Sequence, residues 1–194
     1  QLFNSVNSEN NAVIDTKISR ENYRITTADV YKNSYSSTNN FLTINKGRND
    51  SIKQDFGVIT SKGIIGIIDN TSKNYATVLS ILSKKSRINA KLKNSNHIGS
   101  LIWNGKTPEF VQLIDVSKFA PVKVGDTIVT GGQSSIFPQG INIGKIESFE
   151  TDISGDTYTI QVKLFNDMTN IGTIYILENR DRDEILKLQN TSNE

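Results

Sequence analysis

From Arg24 to Leu177 the apolar residues fall into about twelve runs of strand length, each closed off by a cluster of Gly, Asn, Asp or Ser. The runs are Arg24–Val30, Phe41–Asn45, Phe56–Thr60, Ile64–Asp69, Ala76–Leu82, Ile88–Lys93, Ile98–Trp103, Phe110–Val116, Thr127–Thr130, Ile141–Phe149, Thr157–Leu164 and Thr173–Leu177. Punctuation this frequent excludes long helices and alternating βα units, and it points to barrels or sandwiches. Several runs alternate: Tyr158, Ile160, Val162 and Leu164 share one face, and Thr157, Thr159, Gln161 and Lys163 the other. Such strands have one wet side, as in antiparallel sheets. The apolar composition agrees, with 26 Ile against 11 Leu, because β-branched side chains suit a pleated surface better than a helix. The sequence therefore predicts an all-β chain, with one short peripheral helix over Asp181–Gln189 and a polar, Asn/Ser-rich lead-in over 1–22.

A loose internal repeat runs through these strands. Ser51–Thr60, then Gly66 and a strand at Thr77–Ile81, recurs as Val122–Thr130, Gly144 and a strand at Thr159–Leu164. The second copy carries an insertion, Gly131–Gln139, where the first has only Ser61–Lys62. Two related, roughly six-stranded β-barrel lobes follow. A sequential split and an insertion of one barrel into the other both satisfy that count. Because Gly63 and Gly140 are equivalent places in the two copies, the favoured division is 23–62 plus 140–179 for the first lobe and 63–139 for an inserted second lobe. Residues 180–194 form a C-terminal tail. Short strands leave edges that must be paired or covered, so self-association is expected to be encoded partly in the lobes.

The chain is poor in catalytic parts. It has one histidine and no cysteine, which removes disulfides, thiolate chemistry and Cys-based metal sites together. His97, Asp115 and Ser134 or Ser135 do occur in the order used by two-barrel serine proteases, but no small-residue turn follows the serines to build an oxyanion hole. Neither catalysis, metal nor cofactor is expected. Gly63, Gly66, Gly140 and Gly144 lack the Lys–Ser/Thr and helix start of a phosphate loop and read as turns and bulges. A net charge of +2 provides no field for polyanions, and Lys84, Lys85, Arg87, Lys91 and Lys93 read as the wet face of a strand rather than a nucleic-acid platform. No stretch is long enough to span a bilayer. The insertion is the better clue: Ser135, Ile136, Phe137 and Pro138 place large apolar groups in a turn, either as a surface for a partner or for self-association, or as a plug for their own barrel.

Three segments carry a family resemblance. They are Phe41–Gly47 with Asp50–Ile52, Gly57–Ile59 with Gly63–Ile68, and Gly125–Thr130 leading into Ser134–Ile141 and Gly144. In order and spacing they resemble the MreC family of rod-shape-determining proteins, with Ser51 standing where that family usually has Gly. The resemblance implies two small extracytoplasmic (periplasmic) β-barrels, preceded by a coiled coil and an inner-membrane anchor outside this sequence. It also implies a non-enzymatic scaffold for cell-wall elongation that associates with itself, with MreD, with the actin-like MreB system and with a class B penicillin-binding transpeptidase. A glycan- or peptide-binding module and a serine hydrolase are the competing readings of the residues.

Overall fold

The computed structural model describes residues 22–191. All twelve runs are strands: β1 (Tyr23–Asn33), β2 (Phe41–Ile44), β3 (Gly57–Ile59), β4 (Ile64–Thr71), β5 (Ala76–Ser80), β6 (Ile88–Leu92), β7 (Ile98–Ile102), β8 (Phe110–Ser117), β9 (Thr127–Thr130), β10 (Asn142–Thr151), β11 (Thr157–Leu164) and β12 (Thr173–Asn179). One helix, α1 (Arg182–Thr191), follows without a buried residue. The expected lead-in lies, apart from Asn22, outside the described residues.

The strands close into two antiparallel six-stranded barrels, ordered β1-β12-β3-β4-β5-β2 and β10-β11-β8-β7-β6-β9. Inward residues of each strand fill its barrel: Leu42, Ile44, Val58, Ile68, Val78 and Ile176 in the first, Leu113, Val116, Ile128, Ile146, Ile160 and Val162 in the second, all nearly inaccessible. Closure joins the strands of both barrels into rings, while β10 beyond Ile146 is laddered to β11 alone.

The internal repeat is visible in the hydrogen bonds. Asp55 N–H donates to the Ile68 carbonyl at 2.9 Å and Ile68 N–H to Phe56 at 2.8 Å, while Gly125 N–H donates to Ile146 at 2.8 Å and Ile146 N–H to Asp126 at 2.9 Å. Asp55 and Gly125 share a left-handed backbone, at φ 65° and 89°. Gly66 and Gly144 are likewise equivalent: a Cβ on either would lie 2.1 Å from a carbonyl oxygen, of Leu79 and Lys163 respectively. Each is required by close passage of the neighbouring strand.

Matching the rings on these positions aligns β1, β2, β3, β4 and β5 with β7, β8, β9, β10 and β11. The remaining strands correspond as β6 and β12, and each lies in the other half's barrel. The two halves, β1–β6 and β7–β12, have thus exchanged their last strands. This exchange corrects the expected division at 63 and 140. β4 and β5 belong to the first barrel, β10 and β11 to the second, so the second barrel is continuous over β6–β11 and the first is completed by β12. Gly63 and Gly140 mark equivalent connections inside the two barrels, and the crossings fall instead between β5 and β6 and between β11 and β12.

Candidate functional site

The insertion between β9 and β10 is a joint between the barrels. Thr130 fixes its stem, donating through Oγ1 to the Pro138 carbonyl at 2.6 Å and accepting from Ile141 N–H at 2.9 Å. Asn89 on β6 accepts from Gln133 N–H at 3.3 Å. From the first barrel, Asn179 at the end of β12 donates its side-chain amide to the Ser135 carbonyl at 2.9 Å. Phe137 is only 2% exposed, and its ring lies against Gly57 of β3, where an added Cβ would stand 2.6 Å from Cε1.

These positions match neither reading of the turn in full, since the ring enters the joint rather than the end of its own barrel. Phe137 is not an exposed anchor; it is buried as an inter-barrel wedge, while Ser135, Ile136 and Pro138 are half-buried around it. Burial won because the first barrel offers Gly57 as a receptor, a contact between segments 80 residues apart in sequence that local pattern does not reveal. Beside the wedge, a cavity of about 320 Å³ is lined by Ile67, Arg87, Asn89, Ser134, Ile136 and Gln189, among others.

A second tie crosses the joint at Asn166, in the β11–β12 connection and 7% exposed. Thr60 Oγ1 donates to its Oδ1 at 2.6 Å, and its Nδ2 donates to the Ile64 carbonyl at 3.0 Å. Asn33 Nδ2 donates to the Met168 carbonyl at 2.8 Å. Side-chain amides thus satisfy backbone groups that the junction would otherwise bury unpaired.

The serine-hydrolase constellation is not assembled. His97 Nδ1 lies 3.1 Å from Ser95 Oγ, Ser134 Oγ accepts from Ile136 N–H at 3.1 Å, and no hydrogen bond joins His97, Asp115, Ser134 and Ser135. Among the described residues, no group of three or more His, Asp or Glu side chains is placed to hold a metal ion, and no helix is long and apolar enough to cross a membrane. Of the basic cluster, Lys91 departs from the wet-face expectation: it is buried, and its ammonium donates to Asn96 Oδ1 at 3.2 Å.

Sequence reasoning missed the large apolar side chains that remain outside. Phe119 is 81% exposed and Ile153 fully so, with Phe149 and Val124 also exposed. The β10–β11 hairpin gathers three of these four. Lys118 N–H donates to the Asp156 carbonyl at 3.1 Å, and its ammonium pairs with the Asp156 carboxylate at 2.9 Å. Phe119 is thereby held beside the hairpin tip that carries Ile153. On the hairpin shaft Phe149 packs edge-on against Tyr158, centroids 5.4 Å apart.

Comparison with known proteins agrees with this architecture. The family model described as rod shape-determining protein MreC, barrel core, matches residues 30–178. The cell shape-determining protein MreC of Listeria monocytogenes is 33% identical over 172 residues, covering 85% of this chain and 57% of that protein. The chain therefore spans little more than half of that relative's length. A solved structure of MreC from Listeria monocytogenes superposes with a TM-score of 0.76 at 30% identity, covering 81% of this chain and 77% of that one. MreC in a complex with penicillin-binding protein PBP2 from Helicobacter pylori superposes at a TM-score of 0.60 and 18% identity, covering 80% of this chain and 100% of that one. Two closed barrels, a matching barrel-core model over most of the length and a relative at one-third identity together place this chain in the MreC family of rod shape-determining proteins.

Proposed function

We propose that this chain is the barrel region of a non-enzymatic, membrane-anchored extracytoplasmic scaffold for cell-wall elongation, and that it binds a class B penicillin-binding transpeptidase. The exposed apolar group on the β10–β11 end carries this reading. Phe119 and Ile153 contribute nothing to either core, yet apolar side chains gathered in one place are what a partner surface requires. The Helicobacter pylori complex supports the choice of partner, since there a protein of this fold is bound to a penicillin-binding protein. Association with further copies of the chain, with MreD and with MreB completes the scaffold as the family resemblance implies.

Titration of the chain with the soluble part of its class B transpeptidase tests the proposal. The Phe119→Ser/Ile153→Ser variant is expected to weaken binding about tenfold or more, the loss of about one anchor residue, with an unchanged melting temperature. Undiminished binding by a folded variant would overturn the assignment of this surface.

A further inference from the structure

Tyr31 and Tyr75 form an exposed aromatic pair on the first barrel, far in sequence from the wedge and from the β10–β11 hairpin. They are 75% and 46% exposed, with ring centroids 5.8 Å apart and planes at 61°. Next to them runs a shallow groove of about 320 Å³, lined by Thr43, Asn70, Thr71, Ser72, Tyr75 and Thr77 with the backbone of Ala76. Thr43 pairs with Thr77 across β2 and β5, and Thr77 with Asn70 across β5 and β4. Since Leu42, Ile44, Ala76 and Val78 fill the barrel, Thr43 and Thr77 face outward. Among the described residues, their hydroxyls and the Asn70 amide nitrogen make no hydrogen bond.

The aromatic edge of this groove is held rigidly. In the β4–β5 turn Ser72 N–H donates to the Tyr75 carbonyl at 2.8 Å, and Tyr75 N–H donates to Ser72 Oγ at 3.2 Å. The turn at 47–50 clasps it from outside: Arg48 N–H donates to the Ser72 carbonyl at 2.9 Å and Asn49 N–H to Lys73 at 3.0 Å. Gly47 permits the approach, because a Cβ there would lie 2.6 Å from Ser72 O and from Tyr75 N. A site so fixed loses little entropy on binding.

We propose that this groove binds a neutral oligosaccharide. Its lining side chains carry no charge, and the guanidinium at its edge, that of Arg48, is spent on the Thr71 carbonyl at 2.9 Å, so a neutral ligand suits the groove better than an ionic one. Its volume is that of a small-ligand site, whereas a stable protein contact needs about 800 Å² per partner around an apolar centre. Hydroxyl and amide groups in a row across three strands match the alternating donors and acceptors of a sugar's edge. The C–H face of a pyranose ring is apolar and faintly positive, and it complements the negative face of a tyrosine.

The probes are the β-1,4-linked N-acetylglucosamine tetramer and cellotetraose, titrated into the isotopically labelled chain. Saturable amide shifts over residues 70–77 with at least one of them are expected at millimolar sugar. The Kd should rise about tenfold in Tyr31→Ala and in Tyr75→Ala, and several-fold in Thr77→Ala. Phe119→Ser should leave it unchanged, which separates this site from the transpeptidase surface. The absence of saturable shifts with both sugars, shifts mapping elsewhere, or an unaltered Kd in a folded Tyr31→Ala/Tyr75→Ala variant would each overturn the proposal.

Discussion

The ring of Phe137, carried by the second barrel, fills the space that a Cβ on Gly57 of the first barrel would occupy, with Cε1 2.6 Å from that position. Receptor and wedge define each other. Phe137→Ala is expected to lower stability by about 3–5 kcal/mol, the range for truncating a core Phe, and Gly57→Ala should also destabilise, because the ring must shift. In the double variant the clash is relieved, so its loss should be smaller than the sum of the two by more than about 0.5 kcal/mol. Urea denaturation of the four proteins gives the cycle, and strict additivity would mean the two residues do not share one contact.

How much of this was legible depends on the range of the signal. Turn clusters and alternation mark all twelve strands because strand formation is written locally, in residues such as Tyr158, Ile160 and Val162 facing one way. Strand exchange is not written locally, since Ile88–Leu92 and Ile174–Leu177 carry similar patterns whichever ring they complete. The wedge left one trace. In register with the second copy, Gly57 stands where that copy has Thr127, and a glycine inside a strand signals that something approaches closely. The exposed Phe119 and Ile153 were not legible, because an apolar residue near a turn looks the same in sequence whether it plugs a barrel or faces water.

Asn166 is expected to matter in proportion to the partners it would abandon. Asn166→Ala leaves the Ile64 carbonyl without its side-chain donor and Thr60 Oγ1 without its acceptor, at a cost of about 1–3 kcal/mol. Asn166→Asp keeps the acceptor but buries a carboxylate with one oxygen facing the Ile64 carbonyl, so at neutral pH it should cost at least as much as the alanine. The check is the denaturation midpoint of both variants. Equal stability of Asn166→Ala and the parent chain would mean water replaces the side chain fully.

Acid sensitivity should be traceable to a turn. Hydrogen bonds from Ser154 and from the Thr157 and Asp156 backbone hold the Asp152 carboxyl down to about 2, against about 3.9 in an unfolded chain. A folded value below the unfolded one means that the contribution is fully present above about pH 4 and is lost as pH falls through about 2. The Gly47 backbone N–H and the Lys46 ammonium lower Asp50 in the same direction. Asp152→Asn should therefore flatten the pH dependence of stability between about pH 4 and 2. Carbon-detected NMR titration of Asp152 provides the direct test, and a value near 3.9 would remove the basis of the prediction.

Strand exchange makes the two barrels unequal when the chain is cut. All six strands of the second barrel are consecutive, β6 to β11, so a fragment spanning residues 82–166 carries a complete ring. Residues 22–83 hold only five strands of the first barrel, and without β12 the edges of β1 and β3 stand open. Unpaired edges pair with other molecules. The 82–166 fragment is expected to unfold cooperatively as a monomer, somewhat less stably than the whole chain because the Gly57 receptor is missing. The 22–83 fragment should aggregate or remain unfolded. Adding a peptide of residues 170–181 should rescue it, since that peptide supplies Ile174, Ile176 and Leu177 to the core together with the ladder partners of both edges. Circular dichroism and sedimentation of the fragments, with and without the peptide, decide the matter. A 22–83 fragment that folds as a monomer by itself would show that its barrel closes without the exchanged strand.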